Sequence, residues 1–300
     1  MKNIKLMNKI AKVGTDIFDP NVYTVGDSVD APVGMMVRSA ALHDVEFNPE
    51  LLCIARCGAG VNNIPVDRCA EEGIVVFNTP GANANGVKEL TIAALMLASR
   101  NIVGGINWAT TLKGTEGVAK QVEAGKSKFG GCEIKGKKLG VIGLGAIGGM
   151  VANAASDLGM TVYGCDPFMT VNAAWNLSAT IKKAATFEDI YKTCDYITLH
   201  VPATKDTKGM INKDTIAMMK DGVKIVNLAR ADLVNADDIK AALESGKVSS
   251  YVVDFPTDDT VGVEGIVTIP HLGASTGESE DNCAVMAATS SLTLSRTVTS

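Results

Sequence analysis

The chain has 300 residues, of which 46% are hydrophobic and 20% charged, and its formal net charge at pH 7 is −5. This composition is ordinary for a globular protein, and the length predicts two domains. Lys and Arg are scattered, so no basic face for a nucleic acid is indicated. No apolar run approaches the ~18 residues of a membrane span.

Cysteine usage and the N-terminal segment indicate the compartment. Seven cysteines are dispersed along the chain without a CxxC pair, so neither a zinc site nor a disulfide framework is predicted. The first residues, MKNIKLMNKIAKVG, lack the apolar core of a signal peptide. We expect a reduced, cytoplasmic protein that binds no metal.

Short apolar runs alternate with helix-like segments along the chain. The predicted strands are Met35–Val37, Leu52–Ala55, Ile74–Phe77, Leu139–Ile142, Thr161–Gly164, Tyr196–Leu199, Val223–Asn227, Tyr251–Val253 and Ile266–Ile269. Many are rich in Val and Ile, as strands covered on both faces should be. Predicted helices include Val87–Arg100, Ile147–Leu158, Phe187–Lys192 and Ala236–Leu243. This rhythm predicts an α/β fold with parallel strands and right-handed crossovers.

The domain boundary is placed at a strongly apolar helix. Val87–Arg100 reads VKELTIAALMLASR, and residues 104–138 after it are rich in Gly and Lys and poor in strand signal. We therefore predict a domain change at the start of this helix. Its apolar surface fits burial inside one subunit or packing against a second one.

Two glycine-rich turns follow predicted strands. The first, CIARCGAGVNNIPVD, contains Gly58 and Gly60 but has Asn63 where a third glycine would stand, and the next strand ends in Asn78 rather than an acid. These departures argue against a dinucleotide fingerprint. We interpret this turn as one that faces the ligand from another domain.

The second turn has every part of that fingerprint. Gly143, Gly145 and Gly148 follow a strand and open a helix, and Asp166 ends the next strand. In such a turn the first glycine allows the tight bend, the second lets the diphosphate approach the backbone, and the third lets helix and strand pack closely. Asp166 would accept hydrogen bonds from the ribose hydroxyls and repel a 2′-phosphate, which favours NAD over NADP.

Candidates for chemistry lie at the carboxyl ends of the later strands, where open α/β sheets bind ligands. Of three histidines, His43 is interpreted as a surface residue and His200 as structural or pocket-lining. His271 lies beyond the last strand, where an imidazole can accept a hydroxyl proton. Arg230 suits a carboxylate anchor and equally a surface arginine at a strand end. Asp254 is a candidate partner for a nicotinamide amide, and the nearby Asp258 and Asp259 are candidates for orienting a histidine.

Together these stretches resemble the D-isomer-specific 2-hydroxyacid dehydrogenases, most closely the members that oxidise 3-phosphoglycerate for serine synthesis. The motifs occur in the family's order and cover nearly all of residues 34–288. They are MVRSA (36–40), ARCGAGVNN (55–63), VFNTPGANANGVKELTIA (76–93), GKKLGVIGLGAIGG (136–149), DYITLHVPAT (195–204), VNLARADLV (226–234) and PHLGAST (270–276).

The resemblance implies a Rossmann-type doubly wound parallel sheet inserted into a second, smaller flavodoxin-like α/β domain. The NAD-binding domain would span 88–275, and the substrate domain 1–87 plus 276–300. A cleft between them would hold NAD and the small-molecule substrate, a phosphorylated 2-hydroxy acid. The resemblance also implies a homodimer joined through the nucleotide domains, which suits the apolar helix; no nucleic-acid or membrane partner is expected.

Residue roles follow from the motifs by resemblance. Arg230 becomes the carboxylate anchor and His271 the acid/base, with Asp258, or Asp259 behind it, standing where the family has a glutamate. The implied cofactor contacts are Ala59, Gly143, Gly145, Ala146, Ile147, Gly148, Asp166, Val201, Leu228, Ala229, Arg230, Asp254, His271 and Gly273. The implied substrate contacts are Arg38, Ser39, Arg56, Gly58 and Arg230, of which Arg38 and Arg56 would meet the phosphate.

Three departures from the family pattern keep alternatives open. The run DFPTDD is shorter than usual and contains no glutamate, and Ala231 replaces a glycine. Past Ala288 the chain reads TSSLTLSRTVTS, in which neither helical periodicity, nor the family's closing helix and returning strand, nor an ACT domain is recognisable, so we expect an incomplete substrate domain. The alternatives are another activity of the family, such as glyoxylate or hydroxypyruvate reduction, and a non-catalytic NAD-sensing protein.

Overall fold

The computed structural model describes residues 1–297, and residues 298–300 of the predicted substrate segment lie outside that range. The chain divides into two compact units. Unit 1 consists of Met1–Gly86 and Ala274–Ser300, and unit 2 of Val87–Gly273.

Unit 1 is built on a five-stranded parallel sheet in the order β2-β1-β3-β4-β5. Its strands are β1 (Lys2–Leu6), β2 (Tyr23–Gly26), β3 (Gly34–Val37), β4 (Cys53–Arg56) and β5 (Val75–Phe77). Its helices are α1 (Lys12–Thr15), α2 (Val66–Glu71) and α11 (Gly277–Thr297). One face of the sheet is covered by apolar residues of α11, including Cys283, Ala284 and Ala287.

Unit 2 contains a seven-stranded parallel sheet in the order β12-β11-β10-β9-β6-β7-β8. The strands are β6 (Lys138–Ile142), β7 (Thr161–Cys165), β8 (Lys182–Lys183), β9 (Tyr196–Leu199), β10 (Val223–Asn227), β11 (Val248–Val253) and β12 (Ile266–Thr268). The helices are α3 (Ala84–Ser99), α4 (Ile102–Thr111), α5 (Val118–Gly125), α6 (Ala146–Asp157), α7 (Val171–Trp175), α8 (Phe187–Thr193), α9 (Lys213–Met218) and α10 (Ala236–Glu244). The strand order reverses between β6 and β9, which creates the switch point where such sheets bind ligands.

The predicted fold class is confirmed, since both sheets are parallel and the second is doubly wound. Three strands, β1, β2 and β8, were not predicted from the sequence. In β1 only Ile4 is buried, β2 buries only Tyr23, and β8 consists of two exposed lysines, so none has the continuous apolar run that marks a strand covered on both faces. Among the described residues no helix is both long and apolar enough to span a membrane.

The expectation that helical structure is absent past Ala288 is wrong, because α11 continues to Thr297. Its hydroxyl side chains bond back to the carbonyl four residues earlier: Thr289 Oγ1 lies 2.8 Å from the Val285 oxygen and Ser291 Oγ 3.0 Å from the Ala287 oxygen. Ser and Thr can thus satisfy their own polar atoms on the helix surface. Ser291 is buried on the same face as Ala287 and Ala288, so the inward stripe is made of small residues that a hydrophobicity pattern does not detect.

Candidate active site

The turn after β6 needs glycine at its first position. Gly143 has a φ of 90°, and its N–H donates to the Cys165 carbonyl at 2.9 Å. A Cβ built there would lie 2.5 Å from the His200 carbonyl oxygen. Glycine is therefore required both by the left-handed backbone and by the close approach of β9.

The other two glycines of this turn have opposite surroundings. A Cβ on Gly148 would lie 1.9 Å from the Gly143 oxygen, so α6 rests directly on the turn. A Cβ on Gly145 would meet no atom within 4 Å. The first N–H groups of an α-helix have no intrahelical partner. Gly145, the N-cap of the 12-residue helix α6, provides no side-chain cap for them either. Open space beside amides at the positive end of a helix fits the diphosphate of a dinucleotide.

Asp166 is held beside the same turn. It follows β7, and its Oδ2 accepts the Leu144 N–H at 2.8 Å while its Oδ1 accepts the Phe168 N–H at 2.8 Å. Two backbone donors thus fix the carboxylate, which is only partly buried. The carboxylate therefore stands next to the diphosphate turn, where the fingerprint requires a ribose acceptor.

His200 supports the turn from β9. The ring Nε2 of His200 lies 2.9 Å from Thr198 Oγ1, and the backbone N–H of His200 donates to the Ile142 carbonyl at 2.8 Å. Burial lowers the pKa of the imidazole to about 4, so the side chain is neutral at pH 7. A neutral, partly buried imidazole packed against Gly148 has a supporting role in the turn.

The loop that carries Arg230 is fixed by a residue that sequence reasoning missed. Asn227 ends β10 with its side chain fully buried. Its Oδ1 accepts the N–H groups of Ala229 at 3.1 Å and Arg230 at 3.3 Å, and its Nδ2 donates to the Arg230 carbonyl at 2.8 Å and to Tyr251 Oη at 3.2 Å. The backbone of Arg230 is thus tied to β10 and β11, while its side chain stays exposed. The available signal was a polar residue at the end of VKIVN, a strand whose other residues are apolar except Lys224.

Asp254 fixes the turn that carries His271. Its carboxylate is buried and accepts the Leu272 N–H on Oδ1 and the Gly273 N–H on Oδ2, each at 2.8 Å. His271 itself has a φ of 54°, a left-handed conformation uncommon for a residue with a side chain. Burial raises the pKa of Asp254, and the two N–H donors and the nearby His271 act against that shift. Asp254, predicted as a nicotinamide contact, therefore already engages the backbone of the His271 turn.

Phe255 brings the two predicted reaction residues together. The Arg230 Cζ lies 5.6 Å from the centroid of the Phe255 ring, and the His271 ring centroid lies 4.6 Å from it. Both distances are within the range of cation–π and aromatic contacts. Sequence reasoning singled out Arg230 and His271 but not the phenylalanine, although it stands directly after Asp254.

The two aspartates predicted to orient His271 lie on the turn after Phe255. The side chains and backbone of Thr257 and Thr260 close this turn, with the Thr257 N–H 2.9 Å from Thr260 Oγ1. Asp258 and Asp259 are both exposed, and Asp259 lies 3.7 Å from Lys240 Nζ. Asp254 is thus the buried carboxylate in this region, and the roles of Asp258 and Asp259 stay predictions.

In unit 1 the two predicted phosphate ligands follow paired strands. Val37 of β3 is the register partner of Arg56 in β4, so Arg38 and Arg56 emerge at the same carboxyl edge. Burial raises the pKa of the Cys57 thiol to about 12, and the positive charges of Arg56 and Arg38 both act against that shift. Arg56 folds back over Gly58, where a Cβ would lie 1.2 Å from its Nη1.

The remaining predicted contacts lie on the turns already described. Val201 follows His200 and reaches the Gly143 turn; Leu228 and Ala229 belong to the Arg230 loop. Ser39 follows Arg38, and its N–H donates to Asn8 Oδ1 at 3.0 Å. Ala59 is exposed in the unit 1 turn, where its carbonyl accepts Asn78 Nδ2 at 2.8 Å.

The chain is similar to the D-isomer specific 2-hydroxyacid dehydrogenases, both in its family match and in its sequence relatives. Residues 93–273 match the model of the D-isomer specific 2-hydroxyacid dehydrogenase NAD-binding domain. The chain is 34% identical over 294 residues to D-3-phosphoglycerate dehydrogenase of Bacillus subtilis (strain 168), covering 95% of this chain and 53% of the relative. It is 34% identical over 264 residues to the protein of that name in Archaeoglobus fulgidus, covering 85% of this chain and 48% of the relative. The chain spans about half the length of these curated relatives.

Solved structures give the same architecture. The NAD⁺-bound 3-phosphoglycerate dehydrogenase of Entamoeba histolytica superimposes with a TM-score of 0.74 at 25% identity, covering 96% of this chain and 93% of that chain. A D-lactate dehydrogenase of Treponema pallidum superimposes with a TM-score of 0.81 at 22% identity, covering 99% of this chain and 97% of that chain. At that lower identity the second likeness concerns the fold alone.

Proposed function

We propose that this chain, which belongs to the family of D-isomer-specific 2-hydroxyacid dehydrogenases, catalyses NAD-dependent oxidation of D-3-phosphoglycerate to 3-phosphohydroxypyruvate. The observation that carries the proposal is the grouping of Arg230 and His271 around the Phe255 ring, at the carboxyl edge of the sheet whose glycine turn fits a diphosphate. Arg56, which ends β4, and Arg38, which follows the neighbouring strand β3, support the choice of a phosphorylated substrate.

Arg230 binds the substrate carboxylate. Its guanidinium is exposed, and the planar fork of N–H donors matches the geometry of a carboxylate. Asn227 fixes the backbone of Arg230 through its N–H and its carbonyl, and the Arg230 Nη1 donates to the Ala229 carbonyl at 2.7 Å. Two parallel hydrogen bonds to the carboxylate then orient C2 of the substrate.

His271 accepts the proton of the C2 hydroxyl as the C2–H bond breaks, and returns it in the reducing direction. The Asp254 clamp on Leu272 and Gly273 holds the turn in which the imidazole stands. Asp258 is proposed as the exposed carboxylate that orients this imidazole, with Asp259 as the alternative. Because Asp259 already lies near Lys240, Asp258 is the better candidate.

The residues proposed to hold NAD are centred on the glycine turn. Gly143, Gly145 and Gly148 shape it, the N–H groups of Ala146 and Ile147 bind the diphosphate, and Asp166 accepts from the ribose. When bound, NAD supplies the acceptor for the hydride that leaves C2. The further proposed contacts are Ala59, Val201, Leu228, Ala229, Arg230, Asp254, His271 and Gly273, and the proposed substrate contacts besides Arg230 are Arg38, Ser39, Arg56 and Gly58.

A second candidate function is reduction of an unphosphorylated 2-keto acid such as hydroxypyruvate or glyoxylate. It is favoured by one observation: the Arg38 guanidinium already has a carboxylate partner, with Nη2 2.8 Å from Glu280 Oε1. An arginine that is neutralised within the chain attracts a phosphate less strongly.

The test is a substrate panel followed by NADH absorbance. We expect turnover of 3-phosphohydroxypyruvate with a higher kcat/KM than hydroxypyruvate or glyoxylate, and we expect Arg56→Gln to reduce kcat/KM for the phosphorylated substrate selectively. Equal losses on all substrates would favour the second candidate. Tight NADH binding by folded protein without turnover of any of them would instead identify an NAD-sensing protein.

The assembly proposed for the chain is a homodimer that acts in cytoplasmic serine synthesis. The apolar helix α3, whose sequence fits both burial inside one subunit and packing against a second one, buries Val87, Ala94, Leu95 and Ala98 within the chain. The next helix, α4, has no buried residue and exposes Ile102, Val103 and Ile106, so we assign the partner-facing surface to α4. Sedimentation should give a dimer for the wild type and a monomer for Ile106→Asp; a wild-type monomer would overturn the assignment.

A further inference from the structure

Arg38 is held by its backbone at the end of β3. The side-chain oxygen of Asn8 accepts three consecutive N–H groups, those of Arg38 at 2.9 Å, Ser39 at 3.0 Å and Ala40 at 3.1 Å. A carboxamide oxygen shared by three amides fixes the segment from which the guanidinium extends. Arg38 therefore projects from an ordered base rather than from a free loop.

Glu280 is presented just as firmly from the first turn of α11. Thr276 Oγ1 lies 3.1 Å from the Ser279 N–H and 2.9 Å from Ser279 Oγ, and the Thr276 carbonyl accepts the Glu280 N–H at 3.1 Å. A carboxylate in the first helical turn is also favoured by the helix dipole. Hydrogen bonds thus fix the backbone on each side of the Arg38–Glu280 pair.

The ion pair itself is accessible. Arg38 Nη2 and Glu280 Oε1 lie 2.8 Å apart, and each side chain is 43% exposed. A pair exposed to this degree is weak, because water and salt screen it. The short distance places a counter-ion on Arg38, and the weakness of the exposed pair allows a ligand oxyanion to displace it.

We propose that Glu280 is a specificity-determining residue, the internal counter-ion of Arg38 that a substrate phosphate must displace. The proposal rests on the proposed function, in which Arg38 binds that phosphate. A phosphate that takes the guanidinium leaves the Glu280 carboxylate without its cation and close to new negative charge. An unphosphorylated 2-keto acid makes no such exchange, so Glu280 reduces the preference for phosphorylated over unphosphorylated substrates.

The variants that test this are Glu280→Gln and a matched control, Glu278→Gln. Both remove one negative charge from the first turn of α11, but only Glu280 lies on Arg38. We expect Glu280→Gln to lower KM for 3-phosphohydroxypyruvate about two- to fivefold, the span of an exposed ion pair, and to leave KM for hydroxypyruvate unchanged. Glu278→Gln should change neither. The proposal would be overturned if Glu280→Gln changed KM equally for both substrates or raised KM for 3-phosphohydroxypyruvate. It would also be overturned if Glu278→Gln lowered KM to the same extent.

Inorganic phosphate provides a readout that does not depend on turnover. In calorimetric titrations Glu280→Gln should bind phosphate about two- to fivefold more tightly than the wild type, and this gain should shrink at high salt. Arg38→Gln combined with Glu280→Gln should abolish the gain; a gain that persists without Arg38 contradicts the proposal. Failure of the wild type to turn over any substrate would defeat the proposed function, while these titrations would still decide the role of Glu280.

Discussion

Each unit contains a glycine-rich turn after a parallel strand, and the two turns use the missing side chain differently. In unit 1 the space above Gly58 is filled by the chain itself, since a Cβ there would lie 1.2 Å from Arg56 Nη1. In unit 2 the space above Gly145 is open, with no atom within 4 Å of a Cβ.

A glycine after a strand can therefore leave room either for a side chain of the same chain or for a ligand. Gly58 admits the Arg56 guanidinium across the turn, so this turn presents a positive charge. Gly145 admits nothing from the chain, so its turn presents bare amides at a helix N-terminus. The first arrangement suits a substrate anion and the second a dinucleotide diphosphate, and substitutions at the two turns should separate these properties.

The largest effect is expected for Gly148→Ala. Its Cβ would lie 1.9 Å from the Gly143 carbonyl oxygen, a backbone atom that cannot move without opening the turn. We expect a loss of about 1–3 kcal/mol in the free energy of unfolding, measured in denaturant, together with loss of NADH binding.

Gly149→Ala is the matched control for that substitution. It lies on the same helix, and its Cβ would make only ordinary contacts, at 3.5 Å to Leu177 Cδ2 and 3.6 Å to the Leu144 oxygen. We expect stability equal to the wild type or slightly higher, because alanine favours helix. Equal destabilisation by both substitutions would mean that packing of α6 on the turn is not the cause.

Gly58→Ala should break the unit 1 turn selectively. The new Cβ displaces the Arg56 guanidinium, and the φ of 151° adds backbone strain. We expect KM for the phosphorylated substrate to rise by about tenfold, the size of one lost charge-assisted contact, with the Kd for NADH unchanged. Gly73→Ala also places an alanine at a positive φ, 74°, but with no atom within 4 Å of its Cβ, and should leave KM unchanged. A rise in KM with Gly73→Ala would show that backbone strain in unit 1, and not the displacement of Arg56, weakens binding of the phosphorylated substrate.

Asp166→Asn should sharpen the assignment of the unit 2 turn. The amide keeps an oxygen for the Leu144 or Phe168 N–H but loses the charge that repels a 2′-phosphate. We expect the ratio of NADPH to NADH affinity to rise about five- to tenfold, measured by titration with both cofactors. Asp157→Asn, an exposed aspartate at the end of α6, should leave this ratio unchanged, and a similar rise there would point to net charge alone.

The smallest effect concerns His200, which backs the same turn. Its pKa is about 4 in the folded chain against an ordinary value of 6.5, so the unfolded chain binds more protons between those values. Stability is therefore lost as the pH falls below 6.5, by about 1 kcal/mol at pH 5.5. His200→Gln should remove that part of the loss when unfolding is compared at pH 7.5 and 5.5. An identical pH dependence in both proteins would contradict the buried, neutral imidazole.

The sequence predicted best what depends on continuous local patterns. β9 and β10 begin and end at the predicted residues, because all of their residues except Lys224 are buried and most of them are apolar. β1 has one buried residue among five, and a strand of that kind has no distinctive pattern. The same reason explains α11, whose inward stripe is made of Ala and Ser.

Around the Phe255 ring, the sequence predicted only the residues with an ionisable side chain. Arg230 and His271 are recognisable because each follows a strand at the ligand edge. Phe255, which contacts both, and Asn227, which fixes the Arg230 loop, act through neighbours on adjacent strands that sequence spacing does not reveal. The contacts of Asp254 with Leu272 and Gly273 likewise depend on the parallel register of β11 and β12.

Whether the turn at Gly145 holds the diphosphate of NAD is tested by calorimetric titration of NADH into the wild type and Gly145→Val, with thermal unfolding of both. The φ of −68° at Gly145 is not left-handed and the space for its side chain is open, so the variant should fold, with a loss of stability limited to about 1 kcal/mol from the poorer N-cap. Because that space is the proposed diphosphate site, NADH affinity should fall by at least about tenfold. A Gly145→Val protein that binds NADH as tightly as the wild type, or a folded wild type that does not bind NADH, would contradict the account.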